Sequence, residues 1–264
     1  MLPALLDMLI AHLSGISYSQ YLVRAGPAGL LALLATAVTL HGITRSQLRG
    51  SPMDLGAAGD IAPLGAAAIS ARAWVPAATV AAVSVAFVAG ANLAWASLAG
   101  AAAMMLLRGR DSGPLFARVS WTVLVFFAAL FILVAGLQEA GVAEAAMQGL
   151  APHLPEGEVA ALGTLSLSLV VGCQIISNVP FILLIEPLIR TLPNAQTAWI
   201  TAAVVSTLAG NLTLLGSVAN IILVESAGAE KDIGFRAYLK IGAPVTIASL
   251  MVALSWLWLT MPPG

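Results

Sequence analysis

Charge is what this chain has least of. Of its 264 residues only 9% are Asp, Glu, Lys or Arg, against about 25% in a typical soluble domain. The few charges nearly cancel, at a formal net of −1. That removes the basic footprint that nucleic acid or an anionic membrane surface would select. Cysteine is scarce too. Cys173 stands alone, which excludes an internal disulfide and a cysteine-built metal site. His12, His41 and His153 are isolated from one another and show no metal-ligand spacing. There is no G-x-S-x-G, no H-E-x-x-H and no intramembrane Asp pair, so an intramembrane enzyme finds no support. The first residues lack a basic n-region, and Asp7 and His12 interrupt the apolar stretch of a would-be signal peptide.

What fills the chain is apolar. It is 60% hydrophobic, with a mean hydropathy of +0.98. Apolar runs of 15–20 residues recur from Leu22 to Leu259. They do not alternate as the strands of a membrane barrel would. The expected fold is therefore an all-α polytopic membrane protein with about six spanning helices.

In chain order, residues 1–43 form an opening segment, with Ser14-Gly15-Ile16-Ser17 as a loop and a first spanning helix over 25–43. Residues 44–72 are a polar connection holding Arg45, Arg49, Asp54, Asp60 and Arg72. Residues 73–264 carry the rest. Helices are expected over 74–89 and 93–107, turned by Gly90-Ala91-Asn92, and over 121–137. An acidic loop with Glu139, Glu144, Glu156 and Glu158 follows. Apolar stretches over 160–176, 180–189 and 197–224 come next, and 241–259 is the last helix, with Trp256 and Trp258 as interface anchors.

Two of these stretches are interrupted. Ser177-Asn178-Val179-Pro180 sits between apolar arms, and Gly210-Asn211-Leu212-Thr213-Leu214-Leu215-Gly216-Ser217-Val218-Ala219-Asn220 breaks the long stretch. In hydrocarbon every backbone N–H and C=O must find a partner, so irregular backbone survives only inside protein or along a cavity. Paired interruptions of this kind mark the midplane site of a secondary transporter. Pro180 suits the first turn of a helix, and Ser177 or Asn178 can cap that arm. Gly210 permits a non-helical conformation, and Asn211 or Thr213 can cap the restarted half. Half-helix N-termini attract anions, and unwound carbonyls and hydroxyls suit Na⁺ or a protonated group. Each Ser, Asn or Thr taken alone also reads as interhelical hydrogen-bond glue, and Gly216 as a packing residue.

Basic loops face the cytoplasm. Loops 44–72 and 108–118 are basic and separated by two helices, so both lie inside, and the acidic loop lies outside. The basic loop 225–240 stays inside only if 160–190 is a re-entrant hairpin entering from outside, with Ser177-Asn178 at its tip. Arg190 is then a single basic residue outside. Glu186 lies near the outer end of that hairpin, where a snorkelling or capping role competes with a proton relay. Cys173, one turn from the tip, reads as a packed core residue, the alternative being contact with a thiophilic solute.

The chain also repeats itself. Tyr18-Ser19-Gln20-Tyr21-Leu22 with Pro27 matches Phe235-Arg236-Ala237-Tyr238-Leu239 with Pro244; 235 minus 18 and 244 minus 27 both give 217. By the loop charges the copies lie on opposite sides, which makes an inverted repeat. Asp7-Met8-Leu9-Ile10-Ala11 then faces Asn220-Ile221-Ile222-Leu223-Val224, and the first repeat is incomplete. A symmetric parent would need roughly 140 further N-terminal residues.

These residues resemble the ion-transporter superfamily of arsenite permeases, citrate-type and other divalent-anion transporters and some sodium/proton antiporters. The tip and the break resemble its second half, and Met8 to Pro27 the end of its first. The resemblance implies that Ser177, Asn178, Val179 and Pro180 form a hairpin tip, and that Gly210, Asn211, Thr213, Gly216, Ser217 and Asn220 form a broken helix. Together these would hold solute and coupling ion. Sodium-coupled carboxylate members usually have Thr where Val179 stands, and the family usually has Asn where Asp7 stands. The implied function is secondary active transport of a small anion, a carboxylate or an oxyanion such as arsenite, coupled to Na⁺ or H⁺ by alternating access. The implied setting is a bacterial inner membrane, with lipid, the anionic solute and a homodimer mate as partners, no organic cofactor, and Na⁺ as the ion the site would hold. The competing expectation is a transport-incompetent half-permease that serves as a membrane subunit.

Overall fold

The structure, a computed structural model, describes residues 10, 13–50, 74–108, 113–116, 119, 121–150, 157–217, 219–220 and 234–260. Every regular element among the described residues is helical. In chain order they are α1 (Tyr18–Gly50), α2 (Trp74–Val88), α3 (Leu93–Arg108), the single turn α4 (Gly113–Phe116), α5 (Trp121–Glu139), α6 (Val142–Leu150), α7 (Glu158–Ile176), α8 (Asn178–Thr191), α9 (Ala195–Ala209), a 3₁₀ turn (Leu214–Gly216) and α10 (Phe235–Thr260). Three of the described helices, α1, α7 and α10, are long and apolar enough to cross a membrane. α2, α3, α5 and α9 are apolar but shorter.

The chain divides into two compact units. One comprises Met1–Ile16, Gln20–Ile43 and Thr122–Gly264, and the other Ser17–Ser19 and Thr44–Trp121. In the second unit α2 and α3 form a helical pair. Gly90 makes the turn at φ 88°, and the Asn92 side chain caps α3 by accepting from the Ala94 and Trp95 N–H groups at 3.1 and 3.2 Å. α2 buries none of its residues. α3 covers one side of it, with Val83 and Thr79 facing Gly100.

The first unit is built around α9. Every residue from Thr197 to Ser206 is buried. Small side chains at Ala198, Ala202 and Ala203 let α7, α8 and α10 come close. The core continues through Leu162, Leu165 and Leu169 of α7, Ile182, Ile185 and Ile189 of α8, and Leu250, Ala253 and Leu257 of α10. α8 contains Pro187, which cannot donate to the Leu183 carbonyl one turn earlier. Gln138 of α5 supplies the missing donor, its Nε2 bonding that carbonyl at 2.9 Å.

Helices are thus found at each expected place, with two extensions. α1 runs over Tyr18–Gly50 rather than 25–43, because Arg45, Gln47 and Arg49 are good helix formers that composition alone marks as connection. The acidic loop contains α6, an Ala-rich helix with Glu144 in its first turn, where a carboxylate suits the helix dipole. Residues 51–72, 109–112, 117–118, Glu156, Asp7 to Leu9, Ala11, His12, His153, Val218 and 221–233 lie outside the described residues, and so do the expectations placed on them.

α1 and α10 start at matched positions, Tyr18 and Phe235, and each carries its proline nine residues on. The match extends to packing. Among the described side chains of α1, Ala25, Ala28 and Ala32 are buried. Shifted by the same 217 positions they fall on Gly242, Val245 and Ser249, all buried in α10.

Candidate functional site

The two interruptions lie together in the first unit. α7 and α8 are joined by Ser177 alone, which sits at φ 69° and ψ 162°. That region of backbone space is strained for any residue with a Cβ, at about 1–3 kcal/mol. The arms meet closely just below the turn, where a side chain on Gly172 would run into the Phe181 ring. Cys173 is fully buried beside it, as a packed core residue.

At the tip, Ser177 is the N-cap residue of the second arm, but the side chain that meets an N–H there is that of Asn178, the first helical residue. Asn178 Oδ1 accepts from the Val179 N–H at 2.9 Å, whereas Ser177 makes no side-chain cap. The Ser177 Oγ is buried and has no hydrogen-bond partner among the described residues. Asn178, Val179 and Pro180 are buried. Because Pro180 has no N–H and that of Val179 is taken, two of the first three helix positions offer no free donor.

At the break, α9 tightens before it ends. The Asn211 and Leu212 N–H groups bond the Leu208 and Ala209 carbonyls at 3.1 and 3.0 Å. Thr213 is extended and caps the 3₁₀ turn, accepting from the Gly216 N–H at 3.1 Å. Ser217 is extended in turn and accepts from the Ala219 N–H at 3.3 Å. Thr213 and Ser217 are therefore the caps, and Asn211, which is exposed, is not. Gly210 also departs from expectation. It is right-handed helical at φ −56° and ψ −22°, so no unusual conformation requires it. Space does, since a Cβ there would lie 3.1 Å from that of Ser217. Gly216 is tighter still, a Cβ there falling 2.6 Å from Gln174 Oε1 and 2.9 Å from the Gly210 carbonyl.

Two side-chain amides bind the region together. Asn220, 9% exposed, turns Nδ2 back to the Gly210 carbonyl at 2.7 Å and the Thr213 carbonyl at 3.2 Å. Gln174, on α7 three residues before the turn, bonds the Val170 and Ala209 carbonyls through Nε2, both at 3.0 Å. Its Oε1 accepts from the Thr213 hydroxyl at 2.8 Å. Sequence reasoning passed over Gln174, although a lone carboxamide in an apolar helix, one turn before the tip, is a legible signal. It likewise passed over Gly242 of α10, where a Cβ would lie 2.6 Å from the Asn211 carbonyl and 2.9 Å from that of Leu212.

Glu186 and Arg190 pair with each other at 2.9 Å. Arg190 also donates to the Leu13 carbonyl at 2.7 Å. Glu186 is thus engaged by an arginine at the arm's far end. Two cavities open near the start of α9, one of about 250 Å³ against Arg24, Thr197 and Trp256 and one of about 270 Å³ against Gln20, Arg190 and Trp199. The break is at the other end of that helix, about 22 Å away at 1.5 Å per residue. No cluster of His, Cys, Asp and Glu that would hold a metal occurs among the described residues.

A family model described as citrate transporter matches residues 5–209, the whole hairpin included and the break excluded. The chain belongs to the citrate transporter family. This citrate transporter family member is 36% identical over 159 residues to the putative transporter arsB of Dictyostelium discoideum, covering 59% of this chain and 28% of that protein. It is 32% identical over 164 residues to the silicon efflux transporter LSI3 of Oryza sativa subsp. japonica, covering 58% and 34%. It is 31% identical over 169 residues to an uncharacterised transporter of Mycobacterium bovis, covering 61% and 39%. The chain therefore spans 28–39% of the length of these relatives. No solved structure matches. Family and relatives are named as transporters, not enzymes.

Proposed function

We propose that the chain is part of a secondary active transporter of small anions, carboxylates or oxyanions, coupled to Na⁺ or H⁺ and working by alternating access. The observation that carries this reading is the hydrogen bond from Thr213 to Gln174. It joins a strained hairpin turn to a broken helix inside an apolar bundle, where irregular backbone is otherwise excluded. On this reading Ser177, Asn178, Val179 and Pro180 face the solute from the tip. Gly210, Asn211, Thr213, Gly216, Ser217 and Asn220 face it from the break. The hairpin is re-entrant from the outer side of a bacterial inner membrane, with about six spanning helices around it. The matched starts, prolines and buried faces of α1 and α10 support an inverted repeat.

The names of the family and of the relatives put silicon and citrate solutes beside the arsenite that the sequence resemblance implies. In proteoliposomes, flux of arsenite, silicic acid and citrate is measured under a Na⁺ or a pH gradient. Asn178→Ala and Asn211→Ala should each abolish flux while leaving membrane insertion intact. Wild-type rates in both would overturn the proposal. The alternative reading is a membrane subunit that does not transport alone. It is distinguished by inserted wild-type chain that moves none of the three solutes until a second polypeptide is added.

A further inference from the structure

The backbone carbonyls of a broken helix are the groups a coupling cation would use, yet here three of the five from Ala209 to Thr213 already face this chain's own donors. The Ala209 carbonyl takes the Leu212 N–H and Gln174 Nε2, both at 3.0 Å. The Gly210 carbonyl takes Asn220 Nδ2 at 2.7 Å. The Thr213 carbonyl takes the Gly216 N–H and Asn220 Nδ2, both at 3.2 Å. The Asn211 and Leu212 carbonyls abut Gly242. Nitrogen and oxygen of a carboxamide are told apart by their partners. In both residues one end of the amide faces two carbonyls, so that end is the NH₂.

We infer that the Gln174 and Asn220 side-chain amides stand in place of a coupling cation at the break, so that this side of the site is held together without sodium. An NH₂ group carries two partly positive hydrogens. Placed between two carbonyl oxygens, it does electrostatically what an oxygen-ligated Na⁺ would do, with no ion to desolvate. Gly216 makes room for it, since any side chain there would meet Gln174 Oε1. The inference deepens the transporter reading and rests on it only for the word coupling. The amide contacts stand whether or not solute moves.

Replacing Asn220 by Asp tests it directly. The change removes the NH₂ and sets a carboxylate oxygen against the Gly210 and Thr213 carbonyls, an all-oxygen cluster of the kind hard cations bind. Full-length protein in lipid nanodiscs is unfolded thermally in NaCl, KCl or choline chloride of equal ionic strength. Wild type should unfold within about 1 °C of the same midpoint in all three, since a ligand bound only by the folded state would raise it. Asn220→Asp should unfold several degrees lower in choline chloride and recover most of that loss in NaCl. Asn220→Ala should stay low in every salt. A sodium-specific rise in the wild-type midpoint overturns the inference. So does an Asn220→Asp protein that no cation restores, which would leave the amide as packing alone. Should that variant fail to insert, Gln174→Glu repeats the test from the other amide, and the wild-type arm decides regardless. No solute is needed, so a chain that fails the flux assay can still pass here, and the reverse.

Discussion

At the hairpin tip Ser177 holds a strained backbone, and its hydroxyl finds no partner among the described residues. A few residues away, across the Gln174 bridge, each carbonyl from Ala209 to Thr213 faces a donor or abuts Gly242. The two parts share a neighbourhood and differ in backbone strain, which only the tip carries; a buried hydroxyl without a partner among the described residues is found at both, Ser177 and Thr207. Strain and unmet hydrogen bonds persist only where surrounding structure enforces them, and they gather at functional sites. The Ala209, Gly210 and Thr213 carbonyls, by contrast, are met by this chain's own donors. The difference marks the tip as the strained part and the break as the part braced by side-chain amides.

That contrast can be broken most sharply at Gly216. Gly216→Ala pushes a methyl against Gln174 Oε1 and the Gly210 carbonyl, and overpacking of this kind costs about 2 kcal/mol. Thermal unfolding in nanodiscs should show a clear fall, and an unchanged midpoint would mean that the break is looser than described. The tip should respond with the opposite sign. Ser177→Gly relieves the positive φ and should raise stability by about 1 kcal/mol while lowering flux, because the hydroxyl is gone. A destabilised Ser177→Gly protein would remove the distinction between the two parts. The smallest effect belongs to Glu186. Its pair with Arg190 is at the far end of the arm, and Arg190 is 53% exposed. Glu186→Gln should change stability by less than about 0.5 kcal/mol and leave the pH dependence of flux unaltered. A shifted pH profile would instead make Glu186 part of the proton path.

Much of this was legible without coordinates, for a physical reason. In an apolar chain any polar, Gly or Pro residue stands out, so the tip, the break and the Gly90 turn announce themselves. The register of α1 against α10 was equally plain, because proline and aromatic residues are sparse markers. What escaped was partnership. Composition shows that Asn220 and Thr213 are polar but not that one reaches back ten residues to Gly210 while the other reaches across to Gln174. Gly210 suggests conformational freedom, yet it serves close approach, a distinction that depends on what lies opposite. α6 hides because charge in a membrane protein suggests a loop, although alanines and an early glutamate favour a helix in any solvent.

The bond from Gln138 to the Leu183 carbonyl has a mechanical side. Pro187 leaves α8 one rung short, and the helix that fills the rung is a different one. The second arm of the hairpin is therefore riveted to α5 at mid-length. A displacement of the tip must carry α5 along, or leave a carbonyl bare in a medium that offers nothing else to bond it.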